Sequence, residues 1–278
     1  LIPPPVTSIG TFAFSNCSNL STVNFSPNSE LKEIGMLAFS SSGLCEIRIP
    51  SSVNKIGFVA FSNCFNLNEF EFEPNSQLKT FVNFLASSSI RHILIPRGVK
   101  TIVDEAFCDC PHLNTIEFEE NSELEKLSNW AFITSSIENI LSIPKNAKLY
   151  PHWRSDIKTL KKVTLAEDNI NYKSICDGKI LLGKYDEKSE IFDTIIFASN
   201  ELESFTVPAY IKAIGISAFQ YCRSLKKLDF EENSNLRIIE KFAFELVGVE
   251  KIVFPSSLVK IERSAFYGCY RLKTVEFK

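Results

Sequence analysis

The sequence predicts a β-rich solenoid, in which each coil of the chain adds one short strand to a parallel sheet. The first observation is a strand-like segment of the form L-x-x-I-x-I that recurs along the chain of 278 residues. The second is its period, because successive segments start 23 or 24 residues apart, with a single interval of 42 residues. Fixed periods of this length are typical of folds whose coils stack on one another. The predicted segment starts are Leu20, Leu44, Leu67, Ile90, Leu113, Ile137, Leu160, Leu202, Leu225, Val249 and Leu272.

Each segment has an inner and an outer side. In Ile47–Ile49 and Phe70–Phe72 two apolar residues flank a charged one, which is the alternation of a half-buried strand. A second apolar pair, such as Val53 and Ile56, follows each strand and predicts the opposite wall of the core. The period lies in the range of leucine-rich repeats. We therefore predict a leucine-rich-repeat solenoid with a parallel sheet on the concave side and short strand, turn or 3-10 elements on the convex side.

A recurring Ala-Phe pair predicts the interior of each coil. Alanine allows close approach of the backbone and phenylalanine fills the coil, so stacked coils should contain a column of phenylalanine rings. Leu85-Ala86 is expected to be a degenerate copy of the pair. The pairs are Ala13-Phe14, Ala38-Phe39, Ala60-Phe61, Ala106-Phe107, Ala131-Phe132, Ala218-Phe219, Ala243-Phe244 and Ala265-Phe266.

Two kinds of turn alternate after the strands. A short turn with proline follows Ile49, where proline cannot donate to a ladder and so ends the strand. A turn two residues longer, with Asn-Ser, follows Phe72, and asparagine and serine make compact turns by bonding to nearby backbone. Because Asn28 and Asn75 of two such turns are 47 residues apart, the sequence carries a double repeat. We interpret these residues as structural.

The interval of 42 residues contains a predicted insertion at residues 166–201. Asp177-Gly178 between apolar runs is a hairpin signal, and the charged residues 186–190 suit a second turn. We expect one inserted β-hairpin or meander that projects from the solenoid or lies on it. Before this insertion, the residues around Trp153 are expected to form a degenerate repeat that lacks the Ala-Phe pair.

The composition and net charge exclude two classes of binding partner. The chain is 45% hydrophobic and 23% charged, with a formal net charge of −3, so it can bury a core and has no basic surface for nucleic acid or an anionic membrane. We expect no nucleic-acid partner and no direct membrane insertion by this segment. Since Leu1 lies within the repeat pattern, we expect a single solenoid over residues 1–278 that is a fragment of a longer array.

The cysteines are predicted to be free and structural. Cys17, Cys64, Cys110, Cys222 and Cys269 each lie three residues before a strand start, and equivalent positions two coils apart are beyond disulfide reach. Buried cysteine packs as a small hydrophobe, and free thiols favour a reducing compartment. Neither the cysteines nor the three scattered histidines have the spacing of a metal or catalytic site. We predict no cofactor, no metal and no catalytic residue.

The segment Ile49–Cys64, which reads I-P-S-S-V-x-x-I-G-x-x-A-F-x-x-C, resembles the BspA-like leucine-rich repeats found in surface antigens of parasites and oral bacteria. Its copies extend the resemblance over essentially the whole chain, and Tyr172–Gly178 is similar to hairpins that members insert between repeats. The resemblance implies exposure at the cell surface or secretion, and adhesion to host or matrix proteins or to other cells. It transfers no catalytic residue. Leu85-Ala86 and Trp153 depart from the pattern.

The solvent side of the sheet is the candidate binding surface, because leucine-rich repeats usually bind there. Its early strands are acid-rich and its later strands lysine-rich, so a polarised surface could orient a protein partner; a merely solvated sheet face is the alternative. We predict a non-enzymatic protein-binding solenoid with a role in adhesion or as an antigen. An intracellular scaffold for protein–protein interaction is the alternative, and an enzyme ranks last. The candidate residues are Glu46, Arg48, Glu69, Glu71, His92, Glu117, Lys162, Lys227, Asp229 and Lys251.

Overall fold

Strands and turns make up the whole structure, which is a computed structural model that describes all residues from Leu1 to Lys278 and contains no helix. No segment therefore has the long apolar helix that would be needed to cross a bilayer. The contacts group the chain into two units, Leu1–Trp153 and Arg154–Lys278. Each unit is a stack of β-coils, as predicted, with turns rather than 3-10 helices between the strands.

Unit 1 contains long strands of four or five residues and return strands of two residues. The strands are β1 (Ser8–Ile9), β2 (Glu33–Ile34), β3 (Glu46–Ile49), β4 (Lys55–Ile56), β5 (Glu69–Phe72), β6 (Thr80–Phe81), β7 (His92–Ile95), β8 (Thr101–Ile102), β9 (Thr115–Phe118), β10 (Lys126–Leu127), β11 (Asn139–Ile143) and β12 (Lys148–Leu149).

All strand pairs of unit 1 are parallel. The long strands pair as β3 with β5 and as β7–β9–β11, and the return strands form the sheets β1–β2–β4 and β6–β8–β10–β12. In β3 and β7 the burial alternates strictly between exposed and buried residues. The buried residues form one wall of the core and the return strands form the other, so the outer residues of the long strands face solvent.

A column of phenylalanine rings fills each unit, as the Ala-Phe pairs predicted. In unit 1 the ring of Phe39 lies between Phe14 and Phe61, with centroids 5.2 and 5.3 Å away. The column continues in the same unit from Phe107 to Phe132 at 5.4 Å. In unit 2 the centroid of Phe244 is 4.9 Å from that of Phe219 and 5.0 Å from that of Phe266.

The degenerate Ala-Phe copy is Phe84-Leu85, so the prediction of Leu85-Ala86 was wrong by one residue. In a regular coil the phenylalanine amide donates to the alanine carbonyl of the next coil, as Phe39 does to Ala60 at 2.8 Å. Phe61 instead donates to the carbonyl of Phe84 at 2.8 Å. Phe84 therefore occupies the alanine position, and its ring packs 4.5 Å from that of Phe81.

The recurring cysteines are free and form part of the coil-to-coil bonding. The thiol of Cys64 donates to the carbonyl of Phe39 at 3.2 Å, and that of Cys269 donates to Phe244 at 3.0 Å. Each bond joins a cysteine to the phenylalanine position of the preceding coil. The predicted structural role of this position is confirmed, although Cys17 in the first coil is exposed.

The long turns are also structural. At each one the serine hydroxyl accepts a hydrogen bond from the amide of the core leucine two residues later, as in the bond from Leu78 to Ser76 at 3.3 Å. In three of the four long turns the asparagine before that serine adopts a positive φ, which is 62° at Asn75 and 56° at both Asn121 and Asn233. Asparagine tolerates this left-handed conformation better than most residues.

Unit 2 has the same architecture and contains the insertion. Its strands are β13 (Lys162–Leu165), β14 (Lys173–Ile175), β15 (Ile180–Gly183), β16 (Thr194–Ala198), β17 (Ser204–Val207), β18 (Ala213–Ile214), β19 (Lys227–Phe230), β20 (Ile238–Ile239), β21 (Lys251–Phe254), β22 (Lys260–Ile261) and β23 (Thr274–Phe277). The insertion is the predicted meander, since β14, β15 and β16 pair antiparallel. Its last strand, β16, then pairs parallel with β18 and starts the return sheet β16–β18–β20–β22.

A buried arginine anchors this insertion. The Arg154 guanidinium donates to the backbone carbonyls of Ala198 at 3.3 Å, Ala218 at 2.6 Å and Gln220 at 3.0 Å. It lies 5.0 Å from the ring of Phe197, and its Nε has no hydrogen-bond partner. Burial lowers the pKa of Arg154 to about 10. The side chain thus joins the end of β16 to the next coil without a carboxylate partner.

Candidate protein-binding face

The outward side chains of the long strands form a surface in each unit, which we call the front face. In unit 1 its centre is built by β3 and β5, where Glu46, Arg48, Glu69 and Glu71 are exposed. The parallel register places Glu46 beside Glu69 and Arg48 beside Glu71. The alternation of buried and exposed residues fixes these side chains on the solvent side of a rigid sheet.

The next two strands continue the front face of unit 1. The register of β7 and β9 sets His92 beside Thr115 and Leu94 beside Glu117. His92 Nε2 lies 3.4 Å from a carboxylate oxygen of Glu117. Leu94 is 41% exposed, so an apolar side chain belongs to this surface. The sequence pattern does not predict it, because leucine at an outer strand position breaks the alternation of apolar and polar residues.

The carboxylates at the centre of the unit 1 front face are not neutralised within the protein. No ion pair within 4 Å involves Glu46, Glu69, Glu71 or Arg48. Three acidic side chains therefore share this surface with one cationic side chain. Such a surface attracts a positively charged partner and repels an acidic one.

Two grooves cross this part of the front face. One, of about 280 Å³, lies between residues 22–25 and β3, and the other, of about 470 Å³, lies beside β5 and extends to His92. Glu69 and Glu71 line both grooves. The second groove occurs where β5 and β7 belong to different sheets.

The front face of unit 2 carries lysines that are already paired. Lys162 lies 3.3 Å from Asp177, Lys227 lies 3.0 Å from Asp229, and Lys251 lies 2.6 Å from Glu276. The lysine-rich appearance of this half of the sequence therefore does not give an unbalanced positive surface. The repeat pattern does not predict the pairs of Lys162 and Lys251, because the insertion supplies Asp177 and a separate repeat supplies Glu276.

Comparisons with known proteins agree with this architecture. The family described as "BspA type leucine rich repeat region", with six copies, matches residues 1–83, 79–177 and 190–278. A leucine-rich repeat protein from Bacteroides ovatus is 22% identical over 100% of this chain and 73% of its own, with a TM-score of 0.58. A leucine rich cell surface protein from Faecalibacterium prausnitzii is 20% identical over 98% of this chain and 88% of its own, with a TM-score of 0.52.

A further solved structure, the pneumococcal vaccine antigen PcpA, is 25% identical over 100% of this chain and has a TM-score of 0.46. The chain spans 57% of that antigen's length. No curated protein matches the chain. The Bacteroides and Faecalibacterium structures show the same repeat fold, so the predicted leucine-rich-repeat solenoid with one inserted hairpin or meander is confirmed.

Proposed function

Because the chain belongs to the BspA-type leucine-rich repeat family, we propose that it is a non-enzymatic scaffold that binds a protein partner through the front face of unit 1. The observation that carries this proposal is the set of unpaired carboxylates of Glu46, Glu69 and Glu71 on a rigid sheet beside two grooves. The partner's contacting surface is cationic, since lysine or arginine side chains would pair with these carboxylates as they enter the grooves.

We further propose that the protein acts at the cell surface or after secretion, in adhesion to host or matrix proteins or as an antigen. This part rests on the family resemblance. The eight free cysteines support the second candidate, an intracellular scaffold, because free thiols persist more readily in a reducing compartment. Counting free thiols in protein from its native source separates the two: eight favours the scaffold, and oxidised or capped cysteines favour the surface location.

The binding proposal is tested by capture of purified extracellular-matrix and host-surface proteins on the immobilised chain. The variant Glu69→Lys/Glu71→Lys/Glu117→Lys reverses three charges of the front face. Its matched control, Glu30→Lys/Glu120→Lys/Glu123→Lys, makes the same change in net charge at exposed turn positions of unit 1. We expect the first variant to lose saturable binding and the control to keep it. Unchanged binding by the first variant, or equal loss in both, contradicts the assignment of the face.

A further inference from the structure

The strand β17 has one edge that no other strand covers. It pairs only with β19, in a two-stranded parallel sheet. The carbonyls of Glu203 and Val207 accept hydrogen bonds from the β19 side, so the backbone groups of Ser204 and Thr206 point to the opposite edge. No backbone hydrogen bond is formed by Ser204 or Thr206 on that edge.

The insertion explains why this edge is open. In the regular coils of unit 1 a long strand such as β9 is followed by another, β11, that pairs with it. Before β17 the chain instead enters the meander, whose last strand β16 joins the return sheet through β18. Only the hairpin turn reaches a long strand, where Gly178 accepts a hydrogen bond from Val163 at 3.0 Å. The insertion therefore adds a return strand to the coil without adding a long strand beside β17.

The side chain of Phe205 gives a second, independent sign of an uncovered edge. Phe205 points towards the core, like Leu228 beside it in the register and Ile252 on β21. Leu228 and Ile252 are 4% and 0% exposed, whereas Phe205 is only partly buried. An apolar ring is thus accessible at the same edge as the unpaired backbone groups. Covering it would remove apolar surface from water.

The edge lacks three devices that protect many natural edge strands against strand addition. Natural edge strands are blunted by proline, inward lysine or a bulge. The residues Ser204–Val207 run in unbroken register with β19, and the first proline is Pro208, after the strand. Unpaired N–H and C=O groups at every second residue are matched best by the backbone of another extended chain.

We propose that the open edge of β17 accepts an extended peptide segment of a protein partner. The segment adds one strand through main-chain hydrogen bonds to Ser204 and Thr206, and an apolar side chain of the segment covers Phe205. This inference rests on the proposed protein-binding function and specifies a second contact with a different chemistry. The front face of unit 1 selects charge, whereas the β17 edge selects an extended backbone with an apolar residue.

A peptide from the chain itself provides the probe. Residues 112–119, His-Leu-Asn-Thr-Ile-Glu-Phe-Glu, contain β9, and the amide of Ile116 lies on the edge that pairs with β11. A fluorescent copy of this peptide is titrated against the full chain and followed by anisotropy. We expect saturable binding, and about tenfold weaker binding of an Ile116→Pro peptide, because one hydrogen bond to β17 is lost. A Thr115→Pro peptide, in which the missing amide faces away, is the matched control and should bind like the parent.

Backbone substitutions in the protein test the same edge. Thr206→Pro removes an outward amide and should leave the melting temperature near that of the wild type while weakening peptide binding about tenfold. Asp229→Pro, at the register partner of Thr206, removes an amide that faces β17 and should destabilise the fold strongly. Thr206→Ala keeps the amide and should bind the peptide normally. On binding, amide hydrogen exchange at Ser204 and Thr206 should slow about tenfold.

Several outcomes would overturn the inference. Equal destabilisation by Thr206→Pro and Asp229→Pro would show that the edge is already paired. Unchanged peptide affinity of Thr206→Pro, or no protection of the two amides, would show that no strand is added there. A natural partner could also fail to bind the Glu69/Glu71/Glu117 charge-reversal variant but still bind Thr206→Pro. That result would support the proposed function of the front face and contradict the β17 contact.

Discussion

The side-chain Oε2 of Glu119 accepts a hydrogen bond from the backbone amide of Arg97 at 2.7 Å. Arg97 follows the proline of a short turn, and Glu119 opens the long turn of the next coil. The alternating turns therefore touch between neighbouring coils. In three of the four long turns a glutamate accepts a hydrogen bond from the amide of the residue after the preceding proline, whereas the first long turn has Ser26 at this position. The equivalent bonds join Glu73 to Ser51 at 3.0 Å and Glu231 to Ala209 at 2.8 Å.

Removing this carboxylate should weaken unit 1. We expect Glu119→Ala to lower the free energy of unfolding by about 1–2 kcal/mol, because a hydrogen bond to a charged group is lost. Urea unfolding measures the change. Glu120→Ala is the matched control, since Glu120 is the exposed neighbour and makes no such bond. Equal effects of the two substitutions would show that the contact does not stabilise the coils.

The phenylalanine column should be the most sensitive part of the core. Phe61 is fully buried, and its ring is 5.3 Å from that of Phe39. We expect Phe61→Ala to cost about 3–5 kcal/mol of unfolding free energy, because it removes apolar contacts and leaves a cavity inside the coil. Phe65→Ala, four residues away and 69% exposed in the wild type, should change stability by less than about 1 kcal/mol. Denaturant unfolding of both variants checks the difference.

The features that recur with the repeat could be predicted from the sequence. The strand bearing Ile47 and the column bearing Phe61 recur from coil to coil, and the thiol of Cys64 recurs in every second coil; each packs against neighbouring coils of similar sequence. In a repeat protein the contacts between coils can therefore be predicted from the sequence of a single repeat. The Asp177-Gly178 hairpin was predicted for a different reason, since a tight turn between apolar runs is a local signal.

The features that sequence analysis missed depend on residues outside the repeat. The pairing of Lys251 with Glu276 follows from which side chains meet across two strands, and the period does not specify it. The Phe84-Leu85 register was misread because both residues are apolar and either alignment fits the pattern. The open edge at Thr206 depends on where the end of the insertion pairs, so neither the 42-residue interval nor the hairpin signal reveals it.

Thiol labelling should distinguish the exposed cysteines from the buried ones. Burial raises the pKa of the Cys110 and Cys222 thiols to about 12 and also raises that of Cys64, so these thiols stay protonated and covered at neutral pH. The reactive species is the thiolate. With iodoacetamide in native buffer we expect modification of the exposed Cys17, Cys45 and Cys176 and none of the buried three. Mass spectrometry after digestion identifies the sites, and labelling of Cys222 without denaturant would contradict the burial.

The same burial predicts a loss of stability in alkali. A thiol whose folded-state pKa is raised contributes stability that is fully present below its unfolded pKa and is lost as pH rises towards the folded value. For Cys110 this window runs from about 9 to about 12. Between pH 9 and 11 the unfolding free energy of Cys110→Ala should therefore fall less steeply than that of the wild type. Parallel slopes in denaturant titrations would contradict this assignment.

Arg154 should tolerate loss of its charge better than replacement by lysine. Arg154→Met leaves the carbonyls of Ala198 and Gln220 without this donor, but it also removes a buried charge that has no carboxylate partner. Arg154→Lys keeps the charge and cannot reproduce the fork that reaches carbonyls on two coils. We expect a cost of about 1–3 kcal/mol for methionine and a larger one for lysine, because an incompletely bonded buried cation is more costly than an apolar side chain. Hydrogen exchange of the β16 amides measures the local stability in both variants. A lysine variant more stable than the methionine variant would show that the charge alone, rather than the three hydrogen bonds to carbonyls, holds the insertion.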